Sequence, residues 1–550
     1  MMRLQGTGVS RGMAVGPVWF FSRAEKKARR TSALGPDAER ARLQDALGRA
    51  ARQLEAIADS CRREAGPEAA LLFETHALFL GDEDFTAAIL SGVDSGFTAE
   101  HAVQAAGEQF AAMLSAMDDA YMQARAADVL DVSRRVTACL SGEARKAVLP
   151  DHPVILAADD LAPSETVQLD RSKILAFATR AGSPGGHTAI LARTMGIPAI
   201  CALGSALAPE LAGRTACLDG ETGQLTVDPD GAELSSFQQK ILARQAEKQA
   251  LEALAGQDDV TADGRRLEVC CNIGSPDDVP AVLANGARGV GLFRSEFLYL
   301  AASDFPSEEA QFRAYRDVAR QMNGRRVVIR TLDIGADKQA DYFGLPAEEN
   351  PALGMRAVRF CLSRPDVFRT QLRAIYRASA HGKIAILFPM IASVWEMREC
   401  RRVCESVMAE LEREDIPFDR RAQLGAMIET PASALIADRL AKEADFFSVG
   451  TNDLTQYILA CDRQSGAPGR HFDPRHPAVL RAVKLAANAA RAENIWIGVC
   501  GELASDPEML EAWLALGVDE LSVSPAEVLP LRSRIRSAVA ARCTPDKLNF

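Results

Sequence analysis

The stretch Phe446-Phe447-Ser448-Val449-Gly450-Thr451-Asn452-Asp453 has the pattern that decides the fold of the second half of the chain. An apolar run typical of a buried strand is followed directly by polar residues. From about residue 262, runs of this kind alternate with helical patterns. Eight such strands predict a closed (β/α)8 barrel over residues 262–550, with a doubly wound open sheet as the alternative. The predicted strands are Leu267–Asn272, Gly289–Phe293, Arg326–Leu332, Ile384–Pro389, Leu424–Ile428, Phe446–Val449, Ile495–Val499 and Glu520–Val523.

Arginines stand at the ends of several of these strands or in the segments that follow them. In a (β/α)8 barrel the carboxyl ends of the strands form the mouth where chemistry takes place. Several guanidinium groups at one mouth indicate a small polyanion that carries phosphate or carboxylate groups. Each arginine could instead form a salt bridge at the barrel rim, but the whole set favours ligand binding. The arginines are Arg294, Arg330, Arg356 and Arg463.

Two carboxylates and a thiol also stand at predicted strand ends. Glu429 follows the fifth strand and Asp453 follows the sixth. Carboxylates placed in this way suit a hard divalent cation such as Mg²⁺, which shares its coordination with substrate oxygens. Cys500 follows the seventh strand. It could be a buried structural thiol or a proton donor, and the sequence leaves both interpretations open.

A histidine in the first half of the chain lies between a flexible run and a helix. The run Gly182-Ser183-Pro184-Gly185-Gly186 precedes His187, and the pattern predicts a helix from Thr188 to Met195. The free N–H groups at the start of such a helix favour a phosphate group nearby. Neutral imidazole is also a competent nucleophile near pH 7. A surface histidine at a helix start is the alternative interpretation.

The pattern of strands and helices divides the chain into four parts. Residues 1–25 and 144–228 are rich in strands and predict one α/β domain. Residues 26–143 predict a helical bundle inserted into it, with helices over about 68–80, 98–125 and 131–140. Residues 229–261 predict a polar linker helix. The barrel over 262–550 completes a multidomain α/β protein.

Composition excludes several functional classes. With 550 residues and about 150 residues per domain, three or four domains are expected. The net charge of −11 disfavours nucleic acid as a partner. No apolar run approaches the ~20 residues needed to cross a bilayer, and the first residues have no apolar signal-peptide core. The twelve cysteines are scattered without metal-ligand spacing. We therefore expect a cytoplasmic protein with reduced thiols and no membrane contact.

Several stretches together resemble one family over nearly the whole chain. They lie in the same order as in Enzyme I of the bacterial phosphoenolpyruvate–sugar phosphotransferase system. Each stretch alone is moderately specific, and the set is highly specific. The stretches are His187-Thr188-Ala189-Ile190-Leu191-Ala192-Arg193, Gly291-Leu292-Phe293-Arg294-Ser295-Glu296-Phe297, Glu349-Asn350-Pro351-Ala352-Leu353-Gly354, Phe388-Pro389-Met390-Ile391, Gly450-Thr451-Asn452-Asp453-Leu454-Thr455-Gln456-Tyr457 and Cys500-Gly501-Glu502-Leu503-Ala504.

The resemblance implies a phosphoenolpyruvate–protein phosphotransferase that works through a phosphohistidine. The α/β domain would swivel between the barrel and the inserted bundle, where the phosphocarrier protein HPr would dock. The barrel would bind phosphoenolpyruvate and mediate homodimerisation. His187 would be phosphorylated, Glu429 and Asp453 would hold Mg²⁺, and Cys500 would protonate enolpyruvate. Phosphoenolpyruvate would be gripped by Arg294, Arg330, Arg356 and Arg463, with support from Lys338 and Asn452.

The sequence departs from the family pattern at a few positions. The family usually has Gly-Gly-Arg-Thr-Ser before the histidine, whereas residues 182–186 lack that arginine and that hydroxyl pair. This difference puts in question the hydrogen bonds around His187 rather than its identity. Ser295 replaces a common threonine and Ala336 replaces a common glycine.

Three other functions remain as alternatives. A pyruvate phosphate dikinase or phosphoenolpyruvate synthase uses the same chemistry but has an ATP-binding domain before the histidine domain. Here only residues 1–25 precede the inserted bundle, and they contain no Gly-rich nucleotide loop. A non-catalytic sensor would be favoured by loss of His187 or of the Mg²⁺ carboxylates, which are all present. A regulatory relay would be favoured by a fused sensory domain, which the pattern does not predict.

Overall fold

The computed structural model describes residues 1–21, 29–64, 67–117, 120–142, 149–161, 170–184, 186–335, 341–345, 348–462 and 471–544. The chain forms two compact units, Met1–Ala246 and Glu247–Phe550. None of the described helices combines the length and the apolar character needed to span a bilayer.

The first unit is built on a mixed sheet of eight strands. Its order is β1-β8-β7-β3-β4-β5-β6-β2. The pairs β3–β4, β4–β5 and β5–β6 are parallel, and the other pairs are antiparallel. Parallel strands covered on both faces are apolar throughout, and all five residues of β4 are buried. The strands are β1 Met2–Gln5, β2 Thr7–Ser10, β3 Met13–Phe20, β4 Val154–Ala158, β5 Ile174–Thr179, β6 Ala199–Cys201, β7 Thr215–Asp219 and β8 Gln224–Val227.

Among the residues described between β3 and β4, five helices confirm the predicted helical insertion. They are α1 Pro36–Glu64, α2 Pro67–Phe79, α3 Glu83–Asp94, α4 Ala99–Ser115 and α5 Ala120–Ser141. The predicted helices over 98–125 and 131–140 are wrong in their bounds, because α4 ends early and α5 is continuous. The reason is a buried face that continues along α5 at helical spacing and packs against the other helices, with Ala126, Val129, Val132 and Val136.

Two further helices lie in the described part of the first unit and at its boundary. Helix α6 spans His187–Met195 and follows the Gly-rich run. Helix α7 spans Gly231–Glu252, contains the boundary between the units and has no buried residue. A helix without a buried face is stabilised mainly by its own hydrogen bonds, as expected for a connecting element.

The second unit contains a closed barrel of parallel strands, which excludes the open-sheet alternative. Its order is β9-β10-β11-β12-β13-β14-β15-β16, and β16 pairs with β9 to close it. The strands are β9 Glu268–Ile273, β10 Val290–Arg294, β11 Val327–Arg330, β12 Ile384–Phe388, β13 Gln423–Ile428, β14 Phe446–Val449, β15 Trp496–Val499 and β16 Glu520–Val523.

Helices alternate with these strands, as the sequence predicts. Each long helix packs a buried stripe against the outside of the barrel. The helices are α8 Val279–Ala284, α9 Glu296–Leu300, α10 Glu308–Gln321, α11 Val358–Ser363, α12 Pro365–Ser379, α13 Val394–Arg413, α14 Pro431–Leu435, α15 Ala437–Leu440, α16 Thr451–Leu459, α17 Pro477–Ala492, α18 Leu510–Leu516 and α19 Val528–Ser537.

Side chains fill the interior of the barrel, so it is a packed core rather than a pore. Large residues require small ones opposite them. A Cβ on Gly425 would lie 2.3 Å from the ring of Phe446, so only glycine fits there. The interior cluster contains Leu292, Val328, Ala385, Leu387, Met427, Phe446 and Cys500.

A buried arginine joins the start of the second unit to its last long helix. Arg532 on α19 is fully buried and donates to Asp259 Oδ1 at 2.5 Å. The same guanidinium donates to the carbonyls of Leu254, Ala255 and Gly286. This contact fixes the segment after α7 against the barrel.

Replacing Arg532 with leucine is expected to destabilise the barrel by roughly 3 kcal/mol, because it removes the buried cation on Asp259 Oδ1 and leaves that carboxylate the longer, 3.4 Å contact with the partly exposed Arg288. Urea unfolding followed by tryptophan fluorescence measures the change. The control is Arg534→Leu on the exposed face of the same helix, which should change stability by less than about 0.5 kcal/mol. Equal losses in both variants would contradict this explanation.

Candidate active site

The barrel strands place the predicted charged residues at one mouth. Arg294 and Arg330 are the last residues of β10 and β11. Glu429 directly follows β13, and Cys500 directly follows β15. Asp453 lies in the first turn of α16, just after β14. Since all strands are parallel, these ends lie at the same side of the barrel.

Two buried arginines are held by carboxylates at this mouth. Arg330 donates to Glu296 Oε1 at 2.5 Å, and its Nη1 lies 2.9 Å from Asp333 Oδ2. Arg356 donates to Asp333 Oδ1 at 3.0 Å and to Asp453 Oδ1 at 3.3 Å. Asp333 therefore bridges the two guanidinium groups, which fixes their orientation before any ligand binds.

These carboxylates also keep both arginines charged. Burial alone would disfavour the charged forms, but Glu296 and Asp333 outweigh it and raise the pKa of Arg330 above its usual value. Burial likewise opposes the charge on Arg356, while Asp333 and Asp453 raise its pKa well above the usual value. Ion pairing and ligand binding are thus compatible functions of the same arginines.

Glu429 is buried beside other carboxylates. Its Oε1 accepts a hydrogen bond from Met390 N at 2.6 Å, and Met390 adopts the left-handed region with φ 58°. Burial, and then the charges of Asp453 and Asp333, raise the pKa of Glu429 to about 8. Buried carboxylates this close together are stable in their charged form only when cations neutralise them. The arginines supply part of that positive charge.

The donor set at Glu429 and Asp453 fits Mg²⁺. Both residues offer only oxygen ligands, which Mg²⁺ prefers. Gly450 keeps space for the Glu429 carboxylate, because a Cβ at residue 450 would lie 2.7 Å from Glu429 Oε2.

A second acidic group lies at the opposite end of the barrel, where the strands begin. Ligand atoms of Glu268, Cys270 and Glu520 lie within 4.8 Å of one another. Arg326, however, donates to both carboxylates. A cation of the protein itself therefore already neutralises this group in part.

Cys500 lies at the inner end of the mouth, close to the charged residues. It is 4% exposed; Ser448 Oγ donates to its Sγ at 3.2 Å, and the thiol lies 3.5 Å from Val449 O. Burial raises the pKa of Cys500 to about 11, and Ser448 and Arg330 only partly oppose this change. The thiol is therefore protonated near neutral pH, as a proton donor requires.

Arg294 lines a cavity of about 530 Å³ at the mouth. Asn272, Gly501 and Glu502 also line this cavity. Among the described residues, no carboxylate pairs with the Arg294 guanidinium. Arg294 is thus a cation directed at a space large enough for a small ligand.

The other predicted residues of the barrel stand in different positions. Asn452 lies next to Asp453 and exchanges hydrogen bonds with Glu502. Lys338 and Arg463 lie outside the described residues.

Two residues that the sequence pattern did not single out support the arginines at the mouth. Asp333 stands three residues after Arg330, so strand-end position was a usable signal for it. Gln371 on α12 accepts from Leu332 N at 2.9 Å and donates to Ser295 Oγ at 3.0 Å. Nothing in the local pattern of α12 marks Gln371, because its partners are distant in sequence.

The helix after the Gly-rich run begins at His187, one residue before its predicted start. Gly186 is its N-cap, and Gly196 ends it in the left-handed region with φ 65°. Thr188 Oγ1 donates to Leu161 O at 3.1 Å, and Arg193 donates to Pro184 O at 2.8 Å. These bonds anchor both sides of the helix start. The structure describes the backbone of His187 but not its side chain.

Three family descriptions match successive parts of the chain. "PEP-utilising enzyme, N-terminal" matches residues 5–125 and "PEP-utilising enzyme, mobile domain" matches residues 150–223. "PEP-utilising enzyme, PEP-binding domain" matches residues 248–540, which is more than half of the chain. The order of these matches agrees with the order of the parts described above.

Two relatives of similar length carry the same name. The phosphoenolpyruvate-protein phosphotransferase of Priestia megaterium is 40% identical over 98% of this chain and 95% of its own length. That of Lactococcus lactis subsp. lactis (strain IL1403) is 42% identical over 97% and 94%. A solved structure titled "NMR solution structure of Enzyme I (nEIt) protein using two 4D-spectra" is 28% identical and covers 44% of this chain and 99% of its own, with a TM-score of 0.37. The chain therefore belongs to the phosphoenolpyruvate-protein phosphotransferases, a family of PEP-utilising enzymes.

Proposed function

We propose that this enzyme transfers the phosphoryl group of phosphoenolpyruvate to its own His187 and then to a histidine of the phosphocarrier HPr, releasing pyruvate. The observation that carries the proposal is the mouth of the barrel. There, Arg330 and Arg356 share Asp333 and lie close to Glu429 and the Cys500 thiol. Cations, metal-type carboxylates and a protonated acid are the three groups that this reaction needs.

The arginines would bind the two charged ends of phosphoenolpyruvate. Arg330 and Arg356 are buried, so their interaction with an anion is weakly screened by water. Arg294 faces the adjoining cavity, and Arg463, Lys338 and Asn452 are expected to add to the grip. Glu429 and Asp453 would hold Mg²⁺, which supplies positive charge to the phosphate oxygens when bound.

In the transfer step, a ring nitrogen of His187 forms a bond to phosphorus as the bond from phosphorus to the enol oxygen breaks. The electron pair of that bond leaves with enolpyruvate. Cys500 then gives its proton to C3, which becomes the methyl group of pyruvate, and the resulting thiolate regains a proton from water. Ketone formation favours the forward direction because the ketone is more stable than the enol.

Cys500→Ala is expected to slow phosphorylation by phosphoenolpyruvate on the order of 100-fold, because a positioned general acid is lost. Initial rates of label uptake at saturating substrate measure this change. Cys543→Ala, a partly exposed thiol near the chain end, is the control and should retain the full rate. A Cys500→Ala enzyme as fast as the unaltered chain would show that another group supplies the proton.

An exposed apolar and acidic face supports HPr docking on the helical bundle. Leu78 on α2 is 78% exposed and Met113 on α4 is 54% exposed. The two helices meet nearby, where the rings of Phe79 and Phe110 lie 6.5 Å apart. Exposed acidic residues follow α2, with Asp82, Glu83 and Asp84. Apolar anchors with acidic neighbours suit a basic protein partner.

The remaining parts of the proposal concern assembly and location. Exposed apolar side chains on the barrel, Leu353 and Trp395 among them, support homodimerisation through this unit. No disulfide joins the described cysteines, which supports a reducing compartment such as the cytoplasm. The domain bounds predicted from the sequence remain predictions. The hinge for the movement of the α/β domain would lie in the exposed helix α7.

Incubation with labelled phosphoenolpyruvate and Mg²⁺, with labelled ATP in a parallel sample, tests the proposal. The expected result is acid-labile label from phosphoenolpyruvate only, which passes to added HPr. A chelator should abolish the labelling. Label from ATP would favour the dikinase-type alternative, and no label from either donor would favour a sensor.

A further inference from the structure

The loops after β14 and β15 are joined by a reciprocal pair of hydrogen bonds. Asn452 Nδ2 donates to Glu502 Oε1 at 3.0 Å, and Glu502 N donates to Asn452 Oδ1 at 3.1 Å. The first loop carries the predicted metal ligand Asp453, and the second carries Cys500. The pair therefore connects two elements of the proposed reaction.

This pair fixes which way the carboxamide of Asn452 points. A carboxylate only accepts hydrogen bonds and a backbone N–H only donates them. Nδ2 must face the Glu502 side chain, and Oδ1 must face the Glu502 backbone. Among the described residues, no group accepts from the second N–H of Nδ2, which can therefore donate to a ligand at the mouth. An unsupported carboxamide could rotate and present its oxygen instead, which would repel an anion.

Close packing around the two loops supports the same inference. A Cβ on Gly501 would lie 2.0 Å from Thr451 Oγ1 and 2.8 Å from Thr451 N, so the loops touch at a glycine. Asn272 Nδ2 also donates to Cys500 O at 3.1 Å. The backbone just before Glu502 is thus held in place, which leaves the side chains of Glu502 and Asn452 as the groups that set the direction of the carboxamide.

We propose that Glu502 is a positioning residue that orients the carboxamide of Asn452 toward the phosphoenolpyruvate site. This inference rests on the proposed function, in which Asn452 supports substrate binding. Glu502 acts through Asn452 and contacts no reacting atom. Its effect therefore falls on substrate affinity more than on the chemical step.

The test measures KM and kcat for phosphorylation of the full-length chain by phosphoenolpyruvate. Glu502→Ala should raise KM about tenfold while kcat changes by less than about threefold, since a charge-assisted hydrogen bond is lost outside the reacting centre. Glu502→Gln keeps an accepting oxygen and should restore KM to within about threefold of the unaltered chain. The control is Glu493→Ala, because Glu493 is an exposed glutamate that precedes the start of β15. This variant should leave both constants unchanged.

A double-mutant cycle separates positioning from a general structural effect. In an Asn452→Ala background, Glu502→Ala should cause no further rise in KM, because the carboxamide that Glu502 orients is gone. A full additional rise there, or an unchanged KM in the Glu502→Ala single variant, would overturn the proposal. Glu502 is exposed, so all variants should keep the melting temperature of the parent. If Glu502→Ala does not fold, Glu502→Gln provides the test. A KM for Glu502→Gln as high as that of Asn452→Ala would then overturn the proposal.

The outcomes also distinguish this proposal from the proposed function. If the unaltered chain takes no label from phosphoenolpyruvate, the proposed function fails and the positioning of Asn452 fails with it. If the unaltered chain is labelled and the two substitutions are additive, only the inference about Glu502 is overturned.

Discussion

The His187→Ala variant is expected to take no acid-labile label from phosphoenolpyruvate, a loss on the order of 10⁴-fold or more. The reason is that no other group in the proposed mechanism can accept the phosphoryl group. The backbone supports this function: His187 opens α6, and Thr188 and Arg193 anchor the start of that helix through backbone carbonyls.

The same variant should bind phosphoenolpyruvate with unchanged affinity. The arginines and carboxylates of the barrel belong to a separate compact unit, so removal of an imidazole from the first unit leaves them intact. Calorimetric titration with phosphoenolpyruvate and Mg²⁺ measures this affinity. His152→Ala, which alters an exposed histidine of the same unit, should keep both binding and labelling. A His187→Ala chain that still becomes labelled would refute the assigned nucleophile.

The Arg356→Ala variant should lose about 10³-fold in kcat/KM for phosphoenolpyruvate. Two effects act together. The substitution removes a guanidinium group that would stabilise the transferring phosphoryl group. It also leaves Asp333 and Asp453 without a shared cation, since Arg356 donates to both. Asp333 would keep Arg330, but Asp453 would lose its contact with Arg356, and its charge would then repel the anionic substrate.

Arg356→Lys separates these two effects. Lysine keeps the positive charge but lacks the planar fork that contacts two carboxylates at once, so it should recover only part of the lost kcat/KM. Arg364→Ala is the matched control, because Arg364 lies at the surface and pairs there with Asp366. Steady-state labelling rates measure all three variants. Recovery of the full rate in Arg356→Lys would show that geometry at this position is unimportant.

The repeating strand pattern was sufficient to predict the barrel. Each predicted barrel strand overlaps an observed one, and Phe446–Val449 and Glu520–Val523 coincide with β14 and β16. Buried parallel strands are easy to recognise because both faces are apolar. The bounds of the helices in the bundle were harder to predict, since the break between α4 and α5 depends on packing partners rather than on a Gly or Pro signal.

The charged mouth was predictable for a related reason. Strand ends in a barrel converge, so Arg330, Glu429 and Asp453 could be assigned to one site from their positions alone. Gln371 and the pairing of Asn452 with Glu502 could not be predicted in this way. These contacts depend on side-chain directions across elements that are far apart in sequence, and no periodic pattern encodes them.

The most direct test of the central claim is to map the phosphoryl group after reaction with phosphoenolpyruvate and Mg²⁺. Digestion at neutral or mildly alkaline pH followed by mass spectrometry identifies the modified peptide without loss of acid-labile phosphate. We expect the added mass on the peptide that contains His187, and its disappearance after addition of HPr. A phosphoryl group on any other residue, or one that HPr does not remove, would contradict the account.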